Sequence, residues 1–140
     1  MVASLALVAC GGDSAEDEYK EAFPPVSKGV VALGEEVGAS IEGAGESSDE
    51  QLAEDFDGYA QRLDELEKDL SDLEPPDDLA EDQDALISAI DDVQGSLEQI
   101  AEAAQESDAD AAREATIGLV EGSTALRDAR RKLATAVRDL

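Results

Sequence analysis

Apolar residues recur along this chain at alternating spacings of three and four. One run reads Tyr19, Phe23, Val26, Val30, Leu33, Val37, Ile41, and a second reads Leu52, Phe56, Tyr59, Leu63, Leu66, Leu70, Leu73. A third reads Leu79, Leu86, Ile90, Val93, Leu97, Ile100, Ala104, with Gln83 at the one step where an apolar residue is missing. The fourth alternates small residues with leucine: Ala112, Ala115, Leu119, Gly122, Leu126, Ala129, Leu133, Ala136, Leu140. A 3-4 alternation keeps one stripe of a helix turned toward its partner, and no segment alternates with period two as a strand would. The pattern predicts an all-α chain of four helices.

The breaks between runs agree with it. Ser48-Asp49-Glu50-Gln51 offers a capping box for the second helix, Asp78 with Glu81 a looser one for the third, and Asp108 a cap for the fourth. Glu74-Pro75-Pro76-Asp77 must interrupt the second and third helices, because proline lacks the donor and restricts the residue before it. Turns fall at Glu42 to Ser48 and at Ser107 to Asp110. Connections this short favour antiparallel neighbours, so the expectation is an up-down-up-down antiparallel four-helix bundle over residues 18–140.

The first helix is expected to be the weakest. Pro24 and Pro25 should kink or start it, and Gly29, Gly34 and Gly38 each cost about 1 kcal/mol relative to alanine inside a helix. Gly34-x-x-x-Gly38 has the spacing of a membrane-helix dimer motif, but Glu35, Glu36 and Glu42 make the segment too polar for that use. Close packing inside the bundle is the expectation for these glycines.

Charge narrows the partners. Asp and Glu total 36 against 10 Lys and Arg, a formal charge of -26 with no histidine. Nucleic acid is excluded as a ligand, since its binding is carried largely by Lys and Arg, and anionic head groups are repelled by most of such a surface. Cationic partners are the class that net charge favours. Few aromatics with high charge also fit disorder, but the sustained helical periodicity argues against it.

The first nine residues, MVASLALVA, are almost wholly apolar and small, and Cys10 follows. The run is too short to span a bilayer, which needs roughly 20 apolar residues, and has the form of the end of a secretory signal peptide. Leu7-Val8-Ala9-Cys10 resembles the lipobox of bacterial lipoproteins, and Gly11-Gly12-Asp13-Ser14 resembles the flexible polar stretch that follows it. The acidic Ala-rich helices and the Leu73 to Pro76 break add a likeness to small helical lipoproteins of high-GC bacteria.

The resemblance implies that residues 1–9 are a signal-peptide remnant, that Cys10 carries lipid, and that residues 10–17 form a flexible acidic spacer. Two or three acyl chains make a durable anchor where one is marginal. The remaining reading of Cys10 is an ordinary thiol near a frayed end. It is the single cysteine and therefore has no disulfide partner within the chain.

Candidate chemistry is sparse. Asp77, Asp78, Glu81, Asp82 and Asp84 crowd the Pro-Pro turn and are weak metal candidates, because they lack the spacing of a calcium loop. A solvated acidic face that keeps the domain soluble is the preferred reading of them. One cysteine and no histidine cannot supply the usual zinc or di-iron ligands. A narrow aliphatic bundle offers no obvious cleft, so no cofactor and no enzymatic activity are expected.

The one uneven feature is basic. Arg127, Arg130, Arg131, Lys132 and Arg138 gather in the last turns, where they complement the helix macrodipole or form a docking stripe for an acidic partner or anionic lipid. The expectation is a membrane-anchored extracytoplasmic lipoprotein. It would act as a structural or protein-interaction module toward an envelope protein, or as a carrier of a ligand or cation. The same registers also fit self-association.

Overall fold

The structure is a computed structural model that describes residues 12–140, with side-chain environments from Ser14 onward. The signal-like run and Cys10 lie outside the described residues. Four helices follow in order: α1 (Gly12–Gly43), α2 (Asp49–Ser71), α3 (Ala80–Gln105) and α4 (Ala109–Asp139). Two 3-10 turns, Ala44–Glu46 and Asp77–Leu79, lie in the first two connections.

Pairings across the seams fix the topology. Glu36 meets Arg62 and Ser40 meets Tyr59, so α1 and α2 run antiparallel. Gln83 on α3 reaches Leu73 just past α2, while Ser107 after α3 reaches Asp49 at the start of α2. Lys132 of α4 pairs with Asp82 of α3, and Arg130 of α4 bonds Ser27 of α1. Each helix packs on its two neighbours, with α3 the most extensively engaged and α1 the least. The chain is an all-α, up-down-up-down antiparallel four-helix bundle.

The core follows the four registers. Tyr19, Phe23, Val26, Val30, Leu33 and Val37 of α1 are buried, as are Phe56, Leu63 and Leu70 of α2. In α3 the stripe from Leu86 to Ala104 is buried and widened by Ala89, Ala101 and Ala103. In α4 the buried positions are Ala115, Leu119, Leu126, Leu133 and Val137. Val137 takes the inward place assigned by periodicity to Ala136, which is only half-buried.

Two caps form as the sequence predicts. Ser48 accepts from the Gln51 amide, and Asp108 accepts from the Asp110 and Ala111 amides. The looser cap at Asp78 does not form: Asp77–Leu79 wind into a 3-10 turn, and α3 begins at Ala80 after Leu79 with no side-chain cap. Pro76 forces an extended approach (φ -54, ψ 149), and the tighter turn absorbs the residues that would otherwise hold a cap.

The α3–α4 connection closes with the Ser107 amide on the Ala104 carbonyl (3.1 Å) and the Asp108 amide on the Ala103 carbonyl (2.9 Å). That is a Schellman closure, and it holds Ser107 at φ 53, a conformation that glycine takes without strain.

α1 is the longest helix, at 32 residues. It is already helical from Gly12 through the stretch read as a spacer, and it does not start at Pro24 and Pro25 but runs on through them. Two missing amide donors and two ring clashes are tolerated because Tyr19, Phe23 and Val26 bury on either side of them. Gly34 and Gly38 are not packing positions. Both are exposed, with nothing within 4 Å of where a Cβ would stand. The close approaches are instead at Gly29, where a Cβ would lie 2.6 Å from Leu66 Cδ2, and at Gly122, where it would lie 3.2 Å from Val93 Cγ2.

Gln83 explains its place in an apolar register. It is buried, its Oε1 accepts from the Tyr19 hydroxyl at 2.6 Å, and its Nε2 donates to the Leu73 carbonyl at 3.2 Å. That carbonyl lies where the Pro-Pro break ends the helical bonding of α2. A single side chain therefore ties α1 to α3 and satisfies the backbone at the break. Burial pushes the Tyr19 hydroxyl pKa up to about 12.

Candidate functional site

The narrow bundle does hold a cleft, contrary to the sequence expectation. A crevice of about 360 Å³ runs between α1 and α4. It exists because α1 offers Gly34 at its mouth, where a larger side chain would close the seam. Val30, Leu33 and Val37 form its α1 wall, Leu119 and Leu126 its α4 wall, and Leu63 and Leu97 its floor. Leu33 and Leu119 of the walls and Leu63 and Leu97 of the floor are each no more than 2% exposed.

The rim is basic. Arg127, Arg130 and Arg131 line the crevice together with Ser123 and Glu35. Arg130 is half-buried and donates from Nη1 to the buried Ser27 hydroxyl at 3.1 Å, which fixes it at the α1–α4 seam. None of the three arginines forms an ion pair within 4 Å among the described residues. By contrast Arg62, at the α1–α2 seam, grips Glu36 with two bonds, and that contact holds the Glu36 carboxyl below its usual range. In a chain of charge -26, three guanidinium groups gathered around an apolar slot are a local concentration of positive charge.

The five basic candidates thus separate. Arg127, Arg130 and Arg131 converge on the crevice. Lys132 turns toward α3 and pairs with Asp82 at 2.7 Å, which raises its pKa. Arg138 folds back on its own helix, donating to the Ala134 carbonyl and the Thr135 hydroxyl.

The acidic candidates do not gather. Asp77, Asp78, Glu81 and Asp84 are exposed around the 3-10 turn, Asp82 is taken by Lys132, and among the described residues no group of three potential ligands forms. Acid does concentrate where α2 and α3 meet: the Glu67 carboxyl is raised by burial and then by the charges of Asp91 and Asp64.

Two other depressions carry less chemistry. One of about 230 Å³ near Ile41, Leu52 and Phe56 lies at the end of the bundle, and a shallow one of about 640 Å³ beside Asp49, Glu54 and Asp57 opens to solvent and is acidic. Val31, Ile117 and Val120 are the large apolar side chains left exposed, and Val31 belongs to the crevice wall.

Periodicity missed Ser27 and Gly34, which carry no chemical signature of their own. Arg130 was legible only as one of the five basic candidates, since the α4 register was drawn through Ala129 beside it. Among the described residues no helix is long and apolar enough to cross a membrane. In comparisons with known proteins, no family model, no curated protein and no solved structure matches this chain.

Proposed function

We propose that this protein is an extracytoplasmic bacterial lipoprotein, held at a membrane by acyl chains on Cys10, whose helical bundle is a non-enzymatic binding module of the cell envelope. The observation that supports a binding role is the α1–α4 crevice, an apolar slot rimmed by three arginines that form no ion pair within 4 Å among the described residues. Support for the anchor is the Leu7-Val8-Ala9-Cys10 run. Support for a non-enzymatic role is compositional: the chain has no histidine to activate a nucleophile, and among the described residues no group of three potential metal ligands forms.

The test of the anchor is the intact mass of the protein extracted in detergent from its own host's membranes. The expected mass is that of a chain beginning at Cys10 and carrying two or three acyl groups. An unmodified chain retaining residues 1–9 overturns the anchored reading and leaves the bundle and its crevice.

A further inference from the structure

The geometry points to the α1–α4 crevice as a binding site for a long-chain carboxylate, a single-chain anionic amphiphile of the fatty-acid kind. This deepens the binding-module reading by naming the occupant of that face. Polarity is segregated along the seam. Because α1 and α4 are antiparallel, Arg127, Arg130 and Arg131 lie toward the Ser27 end, while Val37 and Leu119 close the other. A head group and a tail are therefore met by different ends of one slot.

Size selects the class. One turn of α-helix is about 5.4 Å long and 10 Å wide, and fills roughly 420 Å³. The crevice holds about 360 Å³, less than one whole turn of helix, so a peptide helix would lay only one face against it whereas a single extended chain lies within it. From Leu119 to Arg131 the seam runs about 18 Å at the helical rise, a length suited to one extended acyl chain. The floor of leucine and valine gives a free inorganic anion nothing to bury, whereas each methylene of a chain gains by leaving water.

The head-group chemistry is that of a carboxylate. Guanidinium presents a planar fork that meets two oxygens of a carboxylate or phosphate at once, and a carboxylate is the smaller of the two head groups for a slot of this size. Glu35 lines the same crevice without closing on these arginines, so the position of the opposing charge is left to a ligand. Entry requires the slot to widen. α1 is the helix with the least contact to its neighbours, and opposite this stretch of α4 its Gly34 leaves open space where a side chain would stand.

The experiment is calorimetric titration of the full chain with sodium laurate below its micelle concentration. Dodecanol, butyrate and vesicles of anionic phospholipid serve as comparisons. Two variants are titrated beside the parent, Gly34→Leu, which fills the slot from a position with open space, and Arg127→Gln with Arg131→Gln, which removes exposed charge. Each variant is melted first.

Expected is saturable binding of one laurate per chain, roughly tenfold tighter for each added pair of methylenes until the slot is full. Binding should weaken at least about tenfold in either variant, with melting no lower than the parent's. Butyrate and dodecanol should bind far more weakly than laurate. The proposal is overturned by absent laurate binding, by dodecanol binding equally well, by unchanged affinity in Gly34→Leu, or by association with anionic vesicles alone.

Laurate failure alongside an acylated Cys10 removes the occupant and keeps the lipoprotein. Laurate binding by a chain that is never acylated does the reverse.

Discussion

α4 packs against two helices, and its two seams are built on opposite uses of small residues. Against α3, Gly122 brings the backbones together: a Cβ there would stand 3.2 Å from Val93 Cγ2 and 3.7 Å from the Val93 amide nitrogen, and Gly118 approaches Ser96 at 3.4 Å. Against α1, Gly34 faces open space, and the seam gapes into the arginine-rimmed crevice. The same residue type closes one interface and opens the other. What differs is whether the opposing helix places a side chain against it, and that is a property of the assembled bundle.

The comparison can be broken most forcefully at Gly122. Gly122→Leu should destabilise the fold by about 3 kcal/mol, because the added carbons meet the Val93 backbone, which cannot turn aside as a side-chain end can. Chemical denaturation reads this, and a loss below about 1 kcal/mol would mean that the α3–α4 seam is as yielding as the α1–α4 seam.

Next in size is the clamp that holds the start of α1. Tyr19 is buried with its hydroxyl on Gln83, and its pKa is raised to about 12 from an ordinary value near 10. Its contribution is fully present below about pH 10 and is lost as pH rises through about 12, an effect of about 2–3 kcal/mol. Stability measured from pH 9 to 12 should fall accordingly. Tyr19→Phe should flatten that dependence while lowering stability at neutral pH, since Gln83 then loses a buried partner. An alkaline profile identical in the two proteins would remove Tyr19 from the account.

Gly34→Ala is the reciprocal of the first substitution. With open space at the Cβ, it should stabilise by up to about 1 kcal/mol through helix propensity alone. A loss of stability there would show that Gly34 is packed after all.

Smallest is the effect of salt. With a formal charge of -26, self-repulsion weakens the compact state, so moderate salt should raise the melting temperature by a few degrees. A flat or falling trend would mean that the interhelical pairs Arg62–Glu36 and Lys132–Asp82 outweigh the repulsion that salt screens.

Much of the fold was legible because burial in a bundle repeats with the helix. The stripes through Phe23, Leu63, Ile90 and Leu133 are buried as the 3-4 spacing requires, and Ser48 and Asp108 cap where their side chains reach the first free amides. Local rules failed where a neighbour supplied the deciding energy. Pro24 and Pro25 lie inside α1 because flanking aromatics hold that turn against the core, and the cap at Asp78 gave way to a 3-10 turn set by Pro76. The basic cluster was visible as five residues, yet only three of them share a site. Lys132 and Arg138 differ from Arg127 by their angle around α4 and by what each meets there.

Four antiparallel helices, an acidic surface, the lack of histidine chemistry and the inward place of Gln83 were already readable along the chain. Each of these depends on composition or on a period that one helix carries alone. Tertiary structure decided which glycines touch a neighbour, where the buried Gln83 hydrogen bonds lead, and that Arg127, Arg130 and Arg131 surround an apolar slot. Those outcomes depend on the distance and rotation between helices. That geometry is set by the packing of all four stripes at once, and no single stretch of the chain encodes it.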